Sequence, residues 1–291
     1  MKPAPFEYDA PATLAEALEL KARYGDEAKC LAGGQSLIPA MNFRFLQPAR
    51  LLDLNRLAEL EYIRHVGDEL RIGAMTRQRR LEREAAVRDW SPLLHEAMPW
   101  VAHPQIRNRG TFGGSLAHAD PAAELPVVAL ALGARVRLQS AAGERWLTAG
   151  EFFQGTFTTA IRPDEILVEV ALPRSAARTG AAFVEVARRR GDYAMAGVAA
   201  VVTLDASKKC REAKLVYLNL GDGPVDAPKA AEALRGQAAS PSGIDEAAQV
   251  AAEQEIDPLG NVHASPAYQR HLARVVTRRA LATAFERAAG Q

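Results

Sequence analysis

The sequence predicts an α+β protein, and three observations carry that reading. Short strand-like runs and amphipathic helices alternate without the regular βαβ rhythm of a doubly wound sheet, a series of antiparallel strands is expected between residues 135 and 170, and the last third turns Ala-rich and helical. At 291 residues the chain holds one large domain or two ordinary ones, either with a substantial core.

The elements follow in order. Thr13-Leu-Ala-Glu16 has the form of a capping box, and Leu14, Ala17, Leu18 and Lys21 continue at helical spacing until Gly25, which predicts a helix over 13–24. Residues 28–32 and 50–54 read as strands flanking the pair Gly33-Gly34, which falls in a connecting loop. Residues 70–74 alternate as a strand does, and Thr76 is expected to cap a charged helix running toward Val87. Ser91-Pro92 supplies a cap and a first-turn proline for the next helix. Residues 127–132 form an apolar run suited to a buried helix, and residues 135–138, 145–147 and 166–170 read as antiparallel strands. A domain boundary is placed near residues 173–180, where Pro173, Ser175 and Gly180 cluster. Beyond it, residues 182–187, 198–204 and 214–220 read as three strands, followed by helices; residues 236–243 read as a surface connection between two of these.

Lys and Arg total 36 against 35 acidic residues, a balance with no electrostatic footprint for nucleic acid or an anionic membrane. The two cysteines, Cys30 and Cys210, lie far apart and form no CxxC pair, so no metal is expected to be held by this chain. The first 14 residues lack an apolar core of a leader, and no stretch approaches the ~20 apolar residues of a membrane span. A cytoplasmic, reduced protein is expected.

Two glycine-rich segments bear on function. Backbone N–H groups line an anion site where no Cβ blocks the approach, and Gly33-Gly34 with Gln35 and Ser36 suits that use. A single such pair is more often a tight turn. The second pair, Gly113-Gly114 after Thr111, lies near Asp120 and Glu124, carboxylates able to accept from hydroxyl or amide donors, so the two pairs together suggest a ligand of several parts. Neither GxGxxG nor GxxxxGK[ST] is present.

"LAGGQSLIPAMNFR" with "LLDLN", then "HPQIRNRGTFGGSLAHADPAAELP", then "RRRGDYAMAGVAA", give the chain its resemblance to the flavoprotein (medium) subunits of molybdenum hydroxylases. That family includes the carbon monoxide dehydrogenase medium chain and subunits related to the flavin domain of xanthine dehydrogenase. The resemblance runs in order from the N-terminus to about residue 220. It implies a two-lobed FAD-binding domain of the vanillyl-alcohol-oxidase (PCMH) type over 1–175, with lobes of about 1–57 and 58–175. A C-terminal domain over 176–291 then combines a three-stranded antiparallel sheet with a helical bundle.

By the same resemblance, Ala32, Gly33, Gly34, Gln35 and Ser36 wrap the FAD diphosphate, with Leu31 and Leu37 flanking. The loop of Thr111, Phe112, Gly113, Gly114 and Ser115 approaches the flavin and its phosphate-bearing chain. Val101 and Ala102 line the cofactor, Glu124 and more weakly Asp120 match an acidic position near the ribose and adenine end, and Ile166 or Leu167 forms an apolar wall. Tyr193 falls where relatives carry an aromatic beside the isoalloxazine. No residue is assigned to substrate oxidation. Relatives commonly carry lysines in the strand before that aromatic, whereas this chain has Glu185 and Ala187, with Arg188 and Arg189 the nearest cations. His103 and His118 are read as structural, and the run 188–190 as a solvated or partner-facing strand end.

The implied function is an oxidoreductase subunit: electrons from a molybdopterin-bearing large subunit pass through two 2Fe–2S clusters of a small subunit to this FAD and then to an external acceptor. A dimer of heterotrimers is expected. The competing reading is a stand-alone FAD-dependent oxidoreductase with its own substrate cap, for which the C-terminal part offers no clustered catalytic set.

Overall fold

The computed structural model describes residues 1–290 and divides into three main sheets with their helices and one two-stranded ribbon. The first is parallel, in the order β1-β3-β2: β1 (Glu7–Asp9), β2 (Ala28–Leu31) and β3 (Arg50–Asp53), with α1 (Leu14–Tyr24) and α2 (Leu37–Asn42) as connections. Thr13 caps α1 by accepting from the N–H of Glu16, while Glu16 reaches past it to the N–H of Ala12, and Gly25 ends the helix at a φ of +48°. The sequence reading gives only a connecting loop here, whereas the structure places α2 in it, with Pro39 inside. Its six residues, Leu37–Asn42, leave that proline within the first turn, where a missing N–H costs nothing.

The second sheet is antiparallel, in the order β4-β5-β10-β6-β7. Its strands are β4 (Ile63–Val66), β5 (Glu69–Gly73), β6 (Arg135–Ser140), β7 (Gly143–Thr148) and β10 (Ile166–Pro173), with a two-stranded ribbon of β8 (Phe153–Gly155) and β9 (Thr158–Thr159). Between β5 and β6 run α3 (Gln78–Arg83), α4 (Ala85–Trp90), α5 (Pro92–Ala97), α6 (Pro104–Arg107), α7 (Phe112–His118) and α8 (Glu124–Ala131); α9 (Ala149–Phe152) follows β7. The single helix expected from Thr76 to Val87 is two helices broken at Glu84. Thr76 does not cap it: its hydroxyl donates to Tyr62 O (3.0 Å), and the cap position falls on Arg77.

The third sheet has the order β11-β12-β13-β14: β11 (Thr179–Ala187), β12 (Ala194–Leu204), β13 (Cys210–Leu218) and the two-residue β14 (Val225–Asp226). The three expected strands are present, and β14 is a short addition on the edge. The helices α10 (Pro228–Leu234), α11 (Pro241–Gln254) and α12 (Pro266–Ala289) cover one face. Alternate residues explain the near-continuous apolar character of β12. Ala196, Val198, Ala200 and Val202 face the helical core, while Ala194 and Ala199 join Phe183, Val216 and Leu218 in the core built around α5, α7 and α8. A sheet buried on both faces needs apolar residues at both parities. This double burial seals a seam between the third sheet and α8, and the functional residues gather along one end of it.

Candidate functional site

Strand β2 delivers half-buried Leu31 to a turn, Ala32 to Ser36, before Leu37 opens α2. Gly34 adopts a φ of +75°, a region that strains an L side chain. Among the described residues, the N–H groups of Gly33, Gly34, Gln35, Ser36 and Leu37 meet no protein acceptor, and Ser36 gives α2 no side-chain cap. The Gln35 amide folds back onto Gly33 O (3.0 Å), which shapes the turn. Five consecutive N–H groups without a protein acceptor leave a run of backbone donors suited to an anion.

The second segment is not a loop at its glycines. Thr111 is the N-cap of α7, its Oγ1 accepting from the N–H of Gly114 (3.0 Å), and the glycine pair forms the first helical turn. The N–H groups of Phe112, Gly113 and Ser115 bond Thr76 O (3.0 Å), Ala74 O (2.9 Å) and Thr111 O (3.2 Å). Phe112 is fully buried. This segment therefore brings no free backbone donor from residues 112–115 to a ligand; its geometry holds the first turn. A Cβ on Gly33 would press on Arg109 O and lie 2.7 Å from Gly110 Cα, and one on Gly114 would stand 3.2 Å from the Ala32 Cβ. The smallness of Gly33 thus has a cause within the chain, the close approach of a second backbone. A Cβ on Gly113 would lie 2.8 Å from Ala74 Cα, at the end of β5.

Two residues outside the expected set clamp the segments together. Asn55, from "LLDLN", donates to Ala32 O (2.9 Å) and accepts from Arg77 (2.7 Å), and Arg77 also donates to Arg109 O (2.5 Å). Asn55 is fixed in turn by Asp53, whose Oδ1 accepts from the Asn55 N–H (2.9 Å). Burial opposes ionisation of Asp53, but hydrogen bonds from Tyr8 and Asn55 hold its carboxyl below the usual range. Burial and the neighbouring Arg109 lower the pKa of Arg77, so two guanidinium-bearing residues stand beside the free N–H groups. An open groove of about 540 Å³, lined by Arg77, Arg79, Arg80, Arg83 and Asn108 with Glu61 and Glu84, adjoins the clamp but includes none of the glycine-turn residues. The sequence signal for the clamp was the Asp-x-Asn spacing after a strand, which favours a side-chain turn at that point.

At the far end of α7 lies the seam. Arg107 is buried, paired with Glu82 (3.0 Å), and donates to Val101 O (2.9 Å) and Ala102 O (2.8 Å), holding Ala102 at a φ of +45°. The turn 188–193 lies on this corner: a Cβ on Gly191, itself at φ +81°, would meet Ala102 O at 2.6 Å and His103 Nδ1 at 2.7 Å. Arg188 pairs with Asp192 (3.0 Å), and Arg190 stands over the Trp100 ring. Tyr193 projects from the same turn, 70% exposed. Although the side chain is largely exposed, partial desolvation and then the charges of Asp120 and Glu124 raise the phenol pKa, which places all three in one neighbourhood.

Glu124 opens α8 and is 8% exposed; burial, with Asp120 adding, pushes its carboxyl up to about 7. Asp120 accepts from the N–H of Ala122 (2.9 Å), forming the turn into that helix. Glu185, in β11 opposite Gly197, is 5% exposed, and neither carboxyl oxygen has a protein partner. Burial, then Glu124, pushes it up to about 9. In the sequence it stands out as the one charge in the apolar run of β11. Ile166 and Leu167, 3% and 6% exposed, are packed in two separate cores rather than on an open wall. The His118 ring lies against that of Phe157 in a tilted contact, with centroids 5.0 Å apart.

The expected residues thus form two groups, the turn 31–37 braced by 109–114 and the corner of Val101, Ala102, Asp120, Glu124 and Tyr193. Helix α7 joins them, and its seven residues span about 10 Å. A ligand that occupies both is elongated, anionic near one end, and meets an aromatic ring and carboxyl groups at the other.

Comparison with known proteins identifies the family of the chain. Residues 4–175 match the family described as FAD binding domain in molybdopterin dehydrogenase, and residues 181–284 match the CO dehydrogenase flavoprotein C-terminal domain. The chain is 45% identical to the 6-hydroxypseudooxynicotine dehydrogenase complex subunit alpha of Paenarthrobacter nicotinovorans, over 99% of this chain and 97% of that one. It is 37% identical to the carbon monoxide dehydrogenase medium chain of Hydrogenophaga pseudoflava, over 99% and 100%. Among solved structures, carbon monoxide dehydrogenase from H. pseudoflava lacking the Mo-pyranopterin moiety of its cofactor superposes with a TM-score of 0.95 at 37% identity, covering 99% of both chains. Quinoline 2-oxidoreductase from Pseudomonas putida 86 gives 0.94 at 35%, again covering 99% of both. The resemblance read from the three motifs is therefore correct: the chain belongs to the FAD-binding subunits of the molybdopterin dehydrogenases, an oxidoreductase family.

Proposed function

We propose that this chain is the electron-transfer subunit of a heterotrimeric molybdenum hydroxylase, passing electrons from a partner's iron–sulfur clusters through FAD to an external acceptor. The observation that carries the reading is the row of five free N–H groups from Gly33 to Leu37, braced by the second segment and the Asn55–Arg77 clamp. That donor set fits a diphosphate, and the seam beyond α7 fits the remainder of a dinucleotide.

The FAD would supply the redox chemistry, accepting electrons singly and releasing them in pairs. The chain's own residues bind and orient it. The turn 33–37 donates to the diphosphate, with Arg77 and Arg109 offsetting its charge from outside. Val101 and Ala102, held by Arg107, form a rigid corner beneath the turn that carries Tyr193. The exposed Tyr193 ring stands at the seam end, available to lie beside the cofactor. Ser115, in α7, stands between the two ends, and Asp120 and Glu124 stand with Tyr193 at the second.

Substrate oxidation is assigned to a large molybdopterin subunit and the 2Fe–2S clusters to a small one. Among the described residues of this chain, no three His, Cys, Asp or Glu side chains gather as metal ligands. We place the domains at 1–175, with lobes 1–57 and 58–175, and 176–291, and expect a dimer of heterotrimers in the cytoplasm. No described helix is long and apolar enough to cross a membrane.

Purification from the native host tests the assignment through an absorbance spectrum and a subunit gel. Flavin and iron–sulfur bands with two copurifying chains, one small and one large, are expected. A single chain whose flavin is reduced directly by a substrate would replace this reading with the stand-alone oxidoreductase.

A further inference from the structure

Arg107 uses four of its five N–H donors inside the protein, and its side chain is only 6% exposed. Its Nε and Nη2 reach the two oxygens of Glu82, each at 3.0 Å, while Nη1 forks onto Val101 O (2.9 Å) and Ala102 O (2.8 Å). A planar guanidinium spans a carboxylate on one edge and two successive carbonyls on the other; an ammonium does not. Glu82 also accepts from Arg79 (2.6 Å), and although burial opposes its ionisation, the two guanidinium groups hold its carboxyl below the usual range.

Contacts run from this pair to both ends of the site. Glu82 lies in α3, whose first residue, Gln78, donates its N–H to Gly110 O (2.8 Å), and Arg77 before it donates to Arg109 O (2.5 Å). Residues 109 and 110 are the backbone against which Gly33 is packed. About one helical turn, roughly 6 Å, therefore separates the support of the donor turn from the ion pair. On the other side Arg107 holds Ala102 at a φ of +45°, and the carbonyl so placed leaves no room for a Cβ on Gly191. A left-handed backbone is costly for alanine, and here the guanidinium and the turn 188–193 over-determine it. Tyr193 follows Gly191 by two residues.

We propose that Arg107 is a positioning residue: paired with Glu82, it sets the spacing between the donor turn 33–37 and the turn that carries Tyr193, so that one FAD molecule engages both at once. The inference rests on the flavin reading above and names the groups that hold its two ends in register. Fixing two contact regions relative to each other removes an ordering cost at binding. Loosening the pair weakens a ligand that spans both regions and spares one that meets the donor turn alone.

The test measures, on the apoprotein, the Kd of FAD by flavin fluorescence and the inhibition constant of inorganic pyrophosphate competing with it, for the wild type, Arg107→Lys and Glu82→Gln. Arg107→Lys is expected to raise the FAD Kd about tenfold and to leave the pyrophosphate constant within about twofold. Glu82→Gln keeps the side-chain shape and loses the charge; it should show the same split more weakly, and it carries the comparison if the lysine variant does not fold. A double-mutant cycle with Tyr193→Ala separates positioning from general loosening: in that background Arg107→Lys should change the FAD Kd by no more than about twofold. An unchanged FAD Kd, an equal rise for pyrophosphate, or the full effect persisting without Tyr193 would overturn the proposal and leave the flavin reading standing. Failure of pyrophosphate to compete with FAD in the wild type would overturn the diphosphate assignment, and the proposal with it.

Discussion

Gly33 and Gly34 are neighbours that are glycine for different reasons. Gly34 needs a left-handed backbone, whereas Gly33 needs room for the carbonyl of Arg109 and the Cα of Gly110. The sequence alone suggested a ligand against both. Only the fold shows that one of them is crowded by its own chain, because that neighbour lies more than 70 residues away. Gly33→Ala should consequently lower the stability of the apoprotein, by about 1–3 kcal/mol as judged by overpacked sites; thermal unfolding without flavin checks this, and loss of FAD in that variant would not by itself place the diphosphate at Gly33. Asn55→Ala removes the donor to Ala32 O and the acceptor for Arg77, so it should cost about 1–3 kcal/mol in urea unfolding and weaken FAD binding. Asn55 lay within a recognised motif yet had no role readable from the chain, since its partners come from separate segments.

At the scale of elements, local signals served well where capping and periodicity agree. The Thr13 cap, the Pro92 first turn and the strands flanking the glycine turn all formed where expected. They failed where a tertiary contact claimed the capping group, as with Thr76, whose hydroxyl is taken by Tyr62 O. The same applies to Thr111-x-Gly-Gly: glycines argue for a loop, but a threonine cap and three satisfied N–H groups make it the start of α7. In the C-terminal part, Gly180 marks the place where α12 lies directly on β11. A Cβ there would press on Ala284 O and the Ala288 N–H and lie 2.9 Å from the Arg287 Cβ. Gly180→Val should therefore shift α12 and destabilise by at least about 2 kcal/mol. The comparison is a shift in urea midpoint of the apoprotein against the wild type, and an unchanged midpoint would remove this contact from the account.

For the whole molecule, two buried carboxyl groups link stability to pH. Glu185 and Glu124 titrate near 9 and 7 in the folded chain, above the ordinary glutamate value of 4.5, so the folded state keeps protons that the unfolded state releases. Stability from this source is complete below about pH 4.5 and is lost as pH rises: through both groups up to about 7, then through Glu185 alone up to about 9. Each proton contributes a slope of up to about 1.4 kcal/mol per pH unit. The apoprotein melting temperature should fall between pH 7 and pH 9, and Glu185→Gln should flatten that fall. Nothing in the composition announces these two groups, because a lone glutamate in an apolar strand acquires its meaning only when the sheet around it, with Gly197 and Leu218, is assembled.

The central claim is that the free N–H groups of residues 33–37 hold a diphosphate. Its most direct test is to titrate the apoprotein with FAD and with riboflavin, which share the ring but not the diphosphate, and compare Kd values by flavin fluorescence. Several charge-assisted hydrogen bonds to the diphosphate, together with the adenosine contacts, separate the two ligands, so FAD should bind at least about 100-fold more tightly. Equal affinity for FAD and riboflavin would contradict the account and return the first glycine turn to a structural role.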